Sequence, residues 1–354
     1  MAIFKSDAFD GHEGVHFFHD ADSGLKAIIA IHNTNLGPSL GGCRFWNYAS
    51  EEEAHRDVLR LSRGMTYKAA ITGLPLGGGK SVIIGDAARD KSPALFRAFG
   101  RAVESLGGRY ITAEDVNTKP SDMEFVRAET SHVRGLQGTG GSGDPSPVTA
   151  YGVFVGLKAS VLEGMKTDSL KGVRVAVQGL GNVGYHLCKL LHAEGAVLFV
   201  SDINAESVNR VVTEFGATAV LPEAIHAADV DVFAPCALGG ILNDQSIEEL
   251  KAGVICGAAN NQLAEARHGI ALMERGITYA PDYLVNAGGL INVFFEGPSY
   301  NRDIALAKVD EIGATLAEVF DRARAEGIAT SDAADRVAES RFMVDRSAMA
   351  AAAQ

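Results

Sequence analysis

Short hydrophobic runs recur along the second half of the chain, each followed by a polar or glycine-rich stretch. Between these runs lie segments with apolar residues at helical spacing, so strands and helices are predicted to alternate. This order is typical of a doubly wound parallel sheet, and it predicts an α/β fold. The predicted strands span Val173–Val177, Val197–Val200, Ala217–Val220, Val230–Phe233 and Val254–Cys256.

The first half of the chain mixes strands and helices less regularly. Ser50 and Glu53 form a capping box, which predicts a helix that begins there and continues to about Gly64. Ser92-Pro93 starts a second helix, which Gly107-Gly108 ends. The apolar runs in this half predict strands at Leu25–Ile31, Val82–Ile84 and Tyr110–Thr112.

The densest run of Gly, Pro and Ser spans Gly138–Pro147, which we interpret as a hinge between domains. A surface loop with no hinge function would have the same composition. We predict a substrate domain over 1–145, a Rossmann domain over 146–328 with a cleft between them, and a C-terminal helix over 329–354 that returns towards the first domain. Apolar positions at helical spacing over 303–326 predict a long helix, and another is predicted near Ala333–Met343. The sequence does not decide whether the long helix returns the chain or forms an oligomer surface.

The run Val173–Val177 leads into a Gly-x-Gly-x-x-Gly motif at Gly179, Gly181 and Gly184. Gly179 permits a tight turn, Gly181 lets the backbone approach a pyrophosphate, and Gly184 lets helix and strand pack closely. Asp202 follows 18 residues after Gly184, where an acidic residue binds the ribose hydroxyls of NAD. The motif therefore predicts NAD binding. The alternatives are a glycine turn without a ligand, and Asp202 as a helix cap.

Composition narrows the choice of partners. The 354 residues carry 32 basic and 44 acidic side chains, a net charge of −12, which argues against nucleic-acid binding. Cys43, Cys188, Cys236 and Cys256 lie far apart, so neither a metal site nor a disulfide framework is expected. The sequence shows neither an apolar signal region nor the ~20 apolar residues of a membrane span, so we expect a cytoplasmic protein without membrane contact.

Candidate chemistry in the first half centres on two lysines, Lys68 and Lys80. Gly79-Lys80-Ser81 is not a P-loop, since Leu74 stands where glycine is required and Lys80 leads into a strand instead of a helix. In a glycine-lined pocket, burial would lower the pKa of Lys80 and allow proton exchange near neutral pH. With Lys68 to bind a carboxylate and Asp115 at a strand end, an α-amino or α-keto acid fits. The alternative is two surface lysines and a capping aspartate.

The chain resembles the glutamate/leucine/phenylalanine/valine family of amino-acid dehydrogenases, most closely the leucine dehydrogenases. The resemblance runs in order over nearly the whole chain, up to about residue 345. The matching stretches are Ser23–His32, Leu36–Arg44, Arg63–Lys68, Leu76–Lys80, Tyr110–Asp115, Asp144–Thr149, Val177–Gly184, Pro235–Gly239, Ala259–Gln262 and Asn286–Gly289.

The resemblance implies reversible oxidative deamination of an L-amino acid by NAD⁺ and water to a 2-oxo acid, ammonium and NADH. It implies that Lys80 is the catalytic lysine, that Asp115 handles the proton on the substrate nitrogen, and that Lys68 binds the substrate carboxylate. It also implies a homo-oligomer, octameric or dimeric. The implied cofactor-binding residues are Thr149, Gly179, Gly181, Asn182, Val183, Gly184, Asp202, Cys236, Ala237, Asn260 and Asn286, with Asn260 and Asn261 also close to the substrate.

Side-chain preference follows from the predicted pocket. Leu40 stands where the glutamate enzymes of the family carry a lysine, so a second carboxylate would be buried without a partner. Ala113 matches the leucine enzymes, whereas the phenylalanine enzymes tend to carry glycine. We therefore expect leucine, valine and isoleucine as substrates. The predicted substrate-binding residues besides Lys68 are Leu40, Gly41, Gly42, Ala113, Asn260, Asn261, Leu290 and Val293.

Two alternatives remain open. Phe294 and Phe295 depart from the small and acidic residues that usually follow this motif in the leucine enzymes, which leaves a phenylalanine-preferring relative possible. A more distant alternative is a regulator that binds a dinucleotide without catalysis. Such a protein would be expected to lack Lys68, Lys80 or Asp115, and all three are present.

Overall fold

The computed structural model describes residues 3–136 and 142–343, which fall into two compact units. The first unit takes its described residues from Met1–Gly143, Val293–Tyr300 and Ala338–Gln354. The second comprises Asp144–Asn292 and Asn301–Val337. Residues 138–141 of the predicted hinge lie outside the described residues.

The first unit is a mixed sheet with helices on both faces. Its strands lie in the order β1-β2-β4-β3-β5. Strand β2 runs antiparallel to its neighbours β1 and β4, whereas β3 runs parallel to its neighbours β4 and β5. The elements are β1 Gly14–Asp20, β2 Leu25–Asn33, β3 Ser39–Trp46, α1 Glu51–Ile71, β4 Gly77–Ile84, α2 Pro93–Glu104, β5 Tyr110–Glu114 and α3 Pro120–Arg127.

Strand β2 shows why both faces of this sheet are covered. Side chains alternate along a strand, so odd- and even-numbered residues point to opposite faces. Ile29 and Ile31 join the hydrophobic core that α2 completes, whereas Ile28 and Ala30 pack with residues of α1. Each face buries its own apolar cluster, and α1 is thereby fixed against β2 and β4.

The end of helix α1 corrects the sequence prediction. The helix continues past Gly64 to Ile71, because it packs against β2 and β4 and the exposed Gly64 is tolerated within it. The chain leaves the helix at Thr72 and turns at Gly73, where φ is +64°. Lys68 therefore belongs to the last turn of α1.

The second unit contains a fully parallel sheet in the order β11-β10-β9-β6-β7-β8. This is the strand order of a dinucleotide-binding domain whose first strand is β6, and the predicted doubly wound α/β fold is confirmed. The elements that lie wholly or partly in this unit are α4 Ser146–Met165, β6 Arg174–Gln178, α5 Asn182–Ala193, β7 Val197–Ser201, α6 Ala205–Phe215, β8 Thr218–Ala219, β9 Val232–Pro235, α7 Asp244–Glu249, β10 Val254–Ile255, α8 Arg267–Glu274, β11 Thr278–Tyr279, α9 Asp282–Val285, α10 Gly288–Phe294 and α11 Arg302–Glu326.

The strand order reverses between β6 and β9, where a crevice forms at the carboxyl ends of the two strands. The glycine motif follows β6 directly, so it lies at this switch point. A final helix, α12, spans Thr330–Phe342. Among the described residues, no helix is long and apolar enough to cross a membrane.

Candidate active site

Lys80 and Asp115 form a buried ion pair in the first unit. Lys80 lies inside β4, which begins at Gly77, five residues earlier than the predicted strand. Asp115 directly follows β5. Only 6% of the Lys80 side chain and 25% of the Asp115 side chain are exposed, and 3.0 Å separates Lys80 Nζ from Asp115 Oδ2. The structure thus brings together two residues that are 35 positions apart in the sequence.

The Asp115 carboxyl is held in its ionised form. Burial by itself raises the pKa of this group, but the positive charges of Lys80 and Arg44 and the hydrogen bond from Lys80 outweigh burial, so the pKa lies below its ordinary value. Near neutral pH the pair therefore presents a carboxylate that can accept a proton.

Glycines pack the backbones around Lys80 closely. A Cβ on Gly41 would lie 1.7 Å from the Gly79 carbonyl oxygen, and one on Gly78 would lie 2.0 Å from the Thr66 backbone nitrogen. A Cβ on Gly42 would approach the Glu114 carbonyl oxygen to 2.4 Å. Since real side chains cannot make such contacts, glycine is required at these positions for α1, β3, β4 and β5 to pack.

This packing also relates the two lysines. Thr66 of α1 touches Gly78 of β4, and Lys68 and Lys80 each lie two residues farther along their own elements. Lys68 is half-buried in the last turn of α1. The lysine-bearing segments are therefore neighbours, as two ammonium groups around one small acid would require.

The predicted apolar positions divide between the two units. Leu40 and Ala113 are buried on the adjacent strands β3 and β5 of the first unit, where Gly42 pairs with Ala113. Leu290 and Val293 are half-buried on α10, one helical turn apart, and the division between the units passes between them. Beside Val293, the rings of Phe294 and Phe295 make an edge contact with centroids 5.0 Å apart.

The glycines of the motif in the second unit have two different roles. Two of them are required by the backbone, and one borders free space. Gly179 has φ +95°, and a Cβ on Gly184 would lie 2.0 Å from the Gly179 carbonyl oxygen. The turn and the packing of α5 therefore require both glycines. A Cβ on Gly181, by contrast, would meet nothing within 4 Å. The backbone at Gly181 thus faces free space at the start of α5, where Asn182 and Val183 present first-turn N–H groups.

Asp202 joins the glycine turn to the end of β7. Its carboxylate accepts hydrogen bonds from the backbone N–H of Leu180 at 2.6 Å and of Asn204 at 2.8 Å. The N-cap of α6 is Asn204, so the alternative of Asp202 as the helix cap is wrong. A half-buried carboxylate offers acceptors only, which suits hydroxyl donors and opposes an additional phosphate.

The remaining cofactor candidates surround Asn286 and the β6–β9 crevice. Asn286 is buried, and its Nδ2 donates to Asn260 Oδ1 at 2.8 Å and to the Ala258 carbonyl at 3.1 Å. Within the described chain, no donor reaches its Oδ1. The Cys236 backbone N–H donates to the Gln178 carbonyl at 2.7 Å, so Cys236 and Ala237 lie beside the glycine turn.

Thr149 and Asn261 occupy less constrained positions. Thr149 Oγ1 donates to the Pro145 carbonyl at 3.0 Å in the first turn of α4. Asn261 is exposed and has φ +51°, a left-handed conformation that asparagine tolerates better than most residues. The cofactor candidates all lie in the second unit, whereas Lys68, Lys80 and Asp115 lie in the first.

Sequence reasoning gave Arg44 no role, although the residue contacts the ion pair. Arg44 lies on β3, its Nε is 3.1 Å from Asp115 Oδ2, and its Nη1 is 2.9 Å from Asp57 Oδ2. The parallel register of β3 and β5 pairs Cys43 with Glu114, which brings the next residue of each strand together. Only that pairing reveals the contact. No group of three or more metal-ligating side chains occurs in the part of the chain that the structure describes.

Comparison with known proteins accounts for both units. A family profile described as "Glu/Leu/Phe/Val dehydrogenase, dimerisation domain" matches residues 12–132, and one described as "Glutamate/Leucine/Phenylalanine/Valine dehydrogenase" matches 140–209 and 200–353. A leucine dehydrogenase of Geobacillus stearothermophilus is 57% identical over 349 residues, which cover 98% of this chain and 95% of that protein.

Solved structures agree with this assignment. The crystal structure of an L-tryptophan dehydrogenase from Nostoc punctiforme superposes with a TM-score of 0.84 at 50% identity, covering 94% of this chain and 96% of that one. A hetero-hexameric glutamate dehydrogenase from Thermus thermophilus shares the fold with a TM-score of 0.75 at 21% identity, covering 94% and 88% of the two chains.

Proposed function

Because this chain belongs to the glutamate/leucine/phenylalanine/valine dehydrogenase family, we propose that it deaminates branched-chain aliphatic L-amino acids oxidatively, with NAD⁺ as the hydride acceptor. The products are a 2-oxo acid, ammonium, NADH and a proton, and the reaction is reversible. The observation that carries the proposal is the buried pair of Lys80 and Asp115, in which Lys80 lies on a strand that packs against the helix of Lys68.

The residues of the second unit fit a dinucleotide. Gly181 leaves free space where a side chain would otherwise project, and the first-turn N–H groups of α5 face the same space. These donors suit a pyrophosphate. Asp202 suits the ribose hydroxyls and would repel the 2′-phosphate of NADP, and the buried Oδ1 of Asn286 can accept a hydrogen bond from an amide. These features favour NAD.

The first unit would supply the proton chemistry. Lys68 would bind the substrate carboxylate, and Asp115 would take a proton from the substrate nitrogen. Bound NAD⁺ supplies an acceptor for the hydride that leaves Cα. With Asp115 protonated, Lys80 would no longer be held as an ammonium and would release its proton to solvent. The neutral amine would then take a proton from the water molecule that attacks the imine carbon, and the resulting ammonium would stabilise the negative charge that develops on the attacking oxygen. Proton return to the nitrogen would release ammonium and the 2-oxo acid.

The apolar side chains favour aliphatic substrates. Leu40 and Ala113 are buried and carry no group that could pair a second carboxylate. One methylene changes binding by only ~1–3 kcal/mol, so leucine, valine and isoleucine should all react. We also propose that the enzyme works in the cytoplasm as a homo-oligomer, an octamer or a dimer, which ultracentrifugation would measure.

A substrate panel tests the proposal. NADH formation at alkaline pH should be highest with L-leucine, L-valine and L-isoleucine, and lower with L-phenylalanine and L-glutamate. NADP⁺ should give a far lower kcat/KM than NAD⁺. The absence of turnover with every aliphatic amino acid would exclude the proposed reaction, and equal kcat/KM values for both cofactors would exclude the proposed role of Asp202.

An aromatic preference is the second candidate, favoured by the paired rings of Phe294 and Phe295 in the first unit. The same panel decides between the two. A kcat/KM for L-phenylalanine above that for L-leucine would establish the alternative and leave the reaction type unchanged.

A further inference from the structure

We propose that Arg44 is a positioning residue that clamps one oxygen of the Asp115 carboxylate and leaves the other oxygen to accept the substrate's proton. This inference rests on the proposed function, because it assigns Arg44 a part in the same reaction. It concerns a side chain that need not touch the substrate.

The two cations near Asp115 contact the same oxygen atom. Lys80 Nζ lies 3.0 Å from Asp115 Oδ2, and Arg44 Nε lies 3.1 Å from that oxygen. Neither contact uses Oδ1. Two donors on one oxygen restrict rotation of the carboxylate about its Cβ–Cγ bond, so Oδ1 keeps a fixed direction. A general base must reach the proton that it removes within hydrogen-bond distance, which makes this direction important.

Arg44 is itself held by a second carboxylate. Its Nη1 donates to Asp57 Oδ2 at 2.9 Å, and the Tyr48 hydroxyl donates to the same oxygen at 2.7 Å. The Tyr48 hydroxyl stays protonated as a donor, because burial and the neighbouring Asp57 raise its pKa above the ordinary value. The planar guanidinium binds both carboxylates through fixed directions, which the flexible ammonium of a lysine cannot reproduce.

The main chain at Asp115 is fixed independently. The Asp115 backbone N–H donates to Thr118 Oγ1 at 2.8 Å, and Thr118 Oγ1 in turn donates to the Cys43 carbonyl at 2.9 Å. Loss of Arg44 should therefore remove one of the two charged donors that hold Oδ2, loosen the carboxylate and leave its backbone in place. The expected defect is a loose catalytic group within a folded site.

Arg44 is reachable from solvent. It lines an open depression of about 590 Å³ together with Trp46, Tyr48, Asp57 and Val116. About a quarter of the Arg44 and Asp57 side chains is exposed, 24% and 22% respectively. Truncation of Arg44 would extend this depression towards Asp115, with room for a free guanidinium ion in place of the lost group.

Chemical rescue of Arg44→Ala tests the inference. We expect kcat for L-leucine to fall at least tenfold, and guanidinium chloride at tens of millimolar to restore several-fold of the lost rate. Equal concentrations of sodium chloride or urea should restore none. The matched control is Arg56→Ala on the same rim of the depression, since Arg56 pairs only with the exposed Asp7 in the described contacts. That control should keep its activity and should not respond to guanidinium.

A double-mutant cycle with Asp115→Asn separates positioning from a general structural role. If Arg44 acts through Asp115, Arg44→Ala should cost little further rate in the Asp115→Asn background, and guanidinium should have no effect there. An equal loss in both backgrounds, or an Arg44→Ala enzyme within twofold of the original rate, would overturn the inference.

Two further measurements cover failure at other levels. NADH binding, measured by fluorescence titration, reports on the second unit, and the affinity should be unchanged in every variant. If Arg44→Ala does not fold, Arg44→Lys, which keeps the charge, takes its place. Arg44→Lys should remain slower than the unmodified enzyme, and a full rate would overturn the inference. An unmodified enzyme without any amino-acid turnover would instead refute the proposed function.

Discussion

Lys80 is almost fully buried, and its ammonium nitrogen contacts the Asp115 carboxylate. This environment distinguishes it from a surface lysine, for which solvent would supply the only partner. Lys80→Ala should lower kcat by ~10²-fold or more, because the water that attacks the imine loses its base. NADH should still bind, since the glycine motif belongs to the other unit.

Steady-state rates and NADH fluorescence titration together measure this prediction. If Lys80→Ala lost cofactor binding and turnover in equal measure, Lys80 would have a folding role and the proposed catalysis would lose its main support.

His32 makes a prediction for acid stability. Burial, together with the positive charge of neighbouring His12, lowers the pKa of His32 to about 4 from 6.5. Between these values the unfolded chain binds a proton that the folded chain does not, so stability falls as the pH drops from about 6.5 towards 4. The shift corresponds to about 3 kcal/mol when it is fully expressed.

His32→Asn removes this titration and still offers a polar atom to Thr66 Oγ1, which lies 2.8 Å from His32 Nδ1. The variant should lose less thermal stability between pH 7 and pH 5 than the unmodified protein. Exposed His19 provides the control, and His19→Asn should leave the pH dependence unchanged. Parallel curves for His32→Asn and the unmodified protein would contradict the assignment.

At the level of elements, the turn from β6 into α5 gives glycine two different roles. Gly184 is required by backbone contact, and Gly181 is not. Gly184→Ala should therefore destabilise the second unit, because its Cβ would overlap the Gly179 carbonyl oxygen. Gly181→Ala should fold normally and bind NADH at least several-fold more weakly, since its methyl group would project into the space assigned to the pyrophosphate.

Thermal unfolding and NADH titration of these two variants form a matched pair. Unchanged NADH affinity in Gly181→Ala would remove the pyrophosphate from that space.

At the scale of the whole molecule, neither unit is a single continuous segment of the chain. The chain leaves the first unit after Gly143, rejoins it for Val293–Tyr300 and again from Ala338. Within Val293–Tyr300, the Glu296 carboxylate accepts hydrogen bonds from the backbone N–H groups of Gly135 at 2.7 Å and Ser142 at 3.1 Å. Glu296 thus joins both ends of the intervening stretch, which gives the unusual sequence after Val293 a structural function.

In the segment that begins at Ala338, the end of α12 packs onto α1 within the first unit. The Phe342 ring meets the Tyr67 ring edge-on, with centroids 5.2 Å apart, and Arg341 donates to the Ile71 carbonyl. Phe342→Ala should cost ~3 kcal/mol or more of stability, because a buried aromatic ring is lost. It should also raise KM for the amino acid, since Lys68 follows Tyr67.

The neighbouring Met343 is 62% exposed, so Met343→Ala is the matched control and should alter neither property. Thermal unfolding and amino-acid KM values measure the effect. Normal stability in Phe342→Ala would mean that α12 contributes nothing to the first unit.

The sequence by itself determined the features that depend on local pattern. Apolar runs that alternate with helical segments indicate parallel strands, because a strand buried on both faces needs several apolar residues in succession. Gly179, Gly184 and the distant Asp202 specify the dinucleotide turn, because backbone conformation and close packing admit few residue types. Residue types that bind and activate a small acid also indicated Lys68, Lys80 and Asp115. The structure pairs Lys80 with Asp115, and the roles of all three residues stay predictions.

Tertiary structure alone decided what joins residues far apart in the chain. Helix α1 ends at Ile71 and not at Gly64, because packing against β2 and β4 outweighs the low helix propensity of one exposed glycine. Arg44 meets Asp115 across 71 positions because β3 and β5 pair in one register. Strand pairing is a cooperative property of the whole sheet, and no periodicity within either segment encodes it.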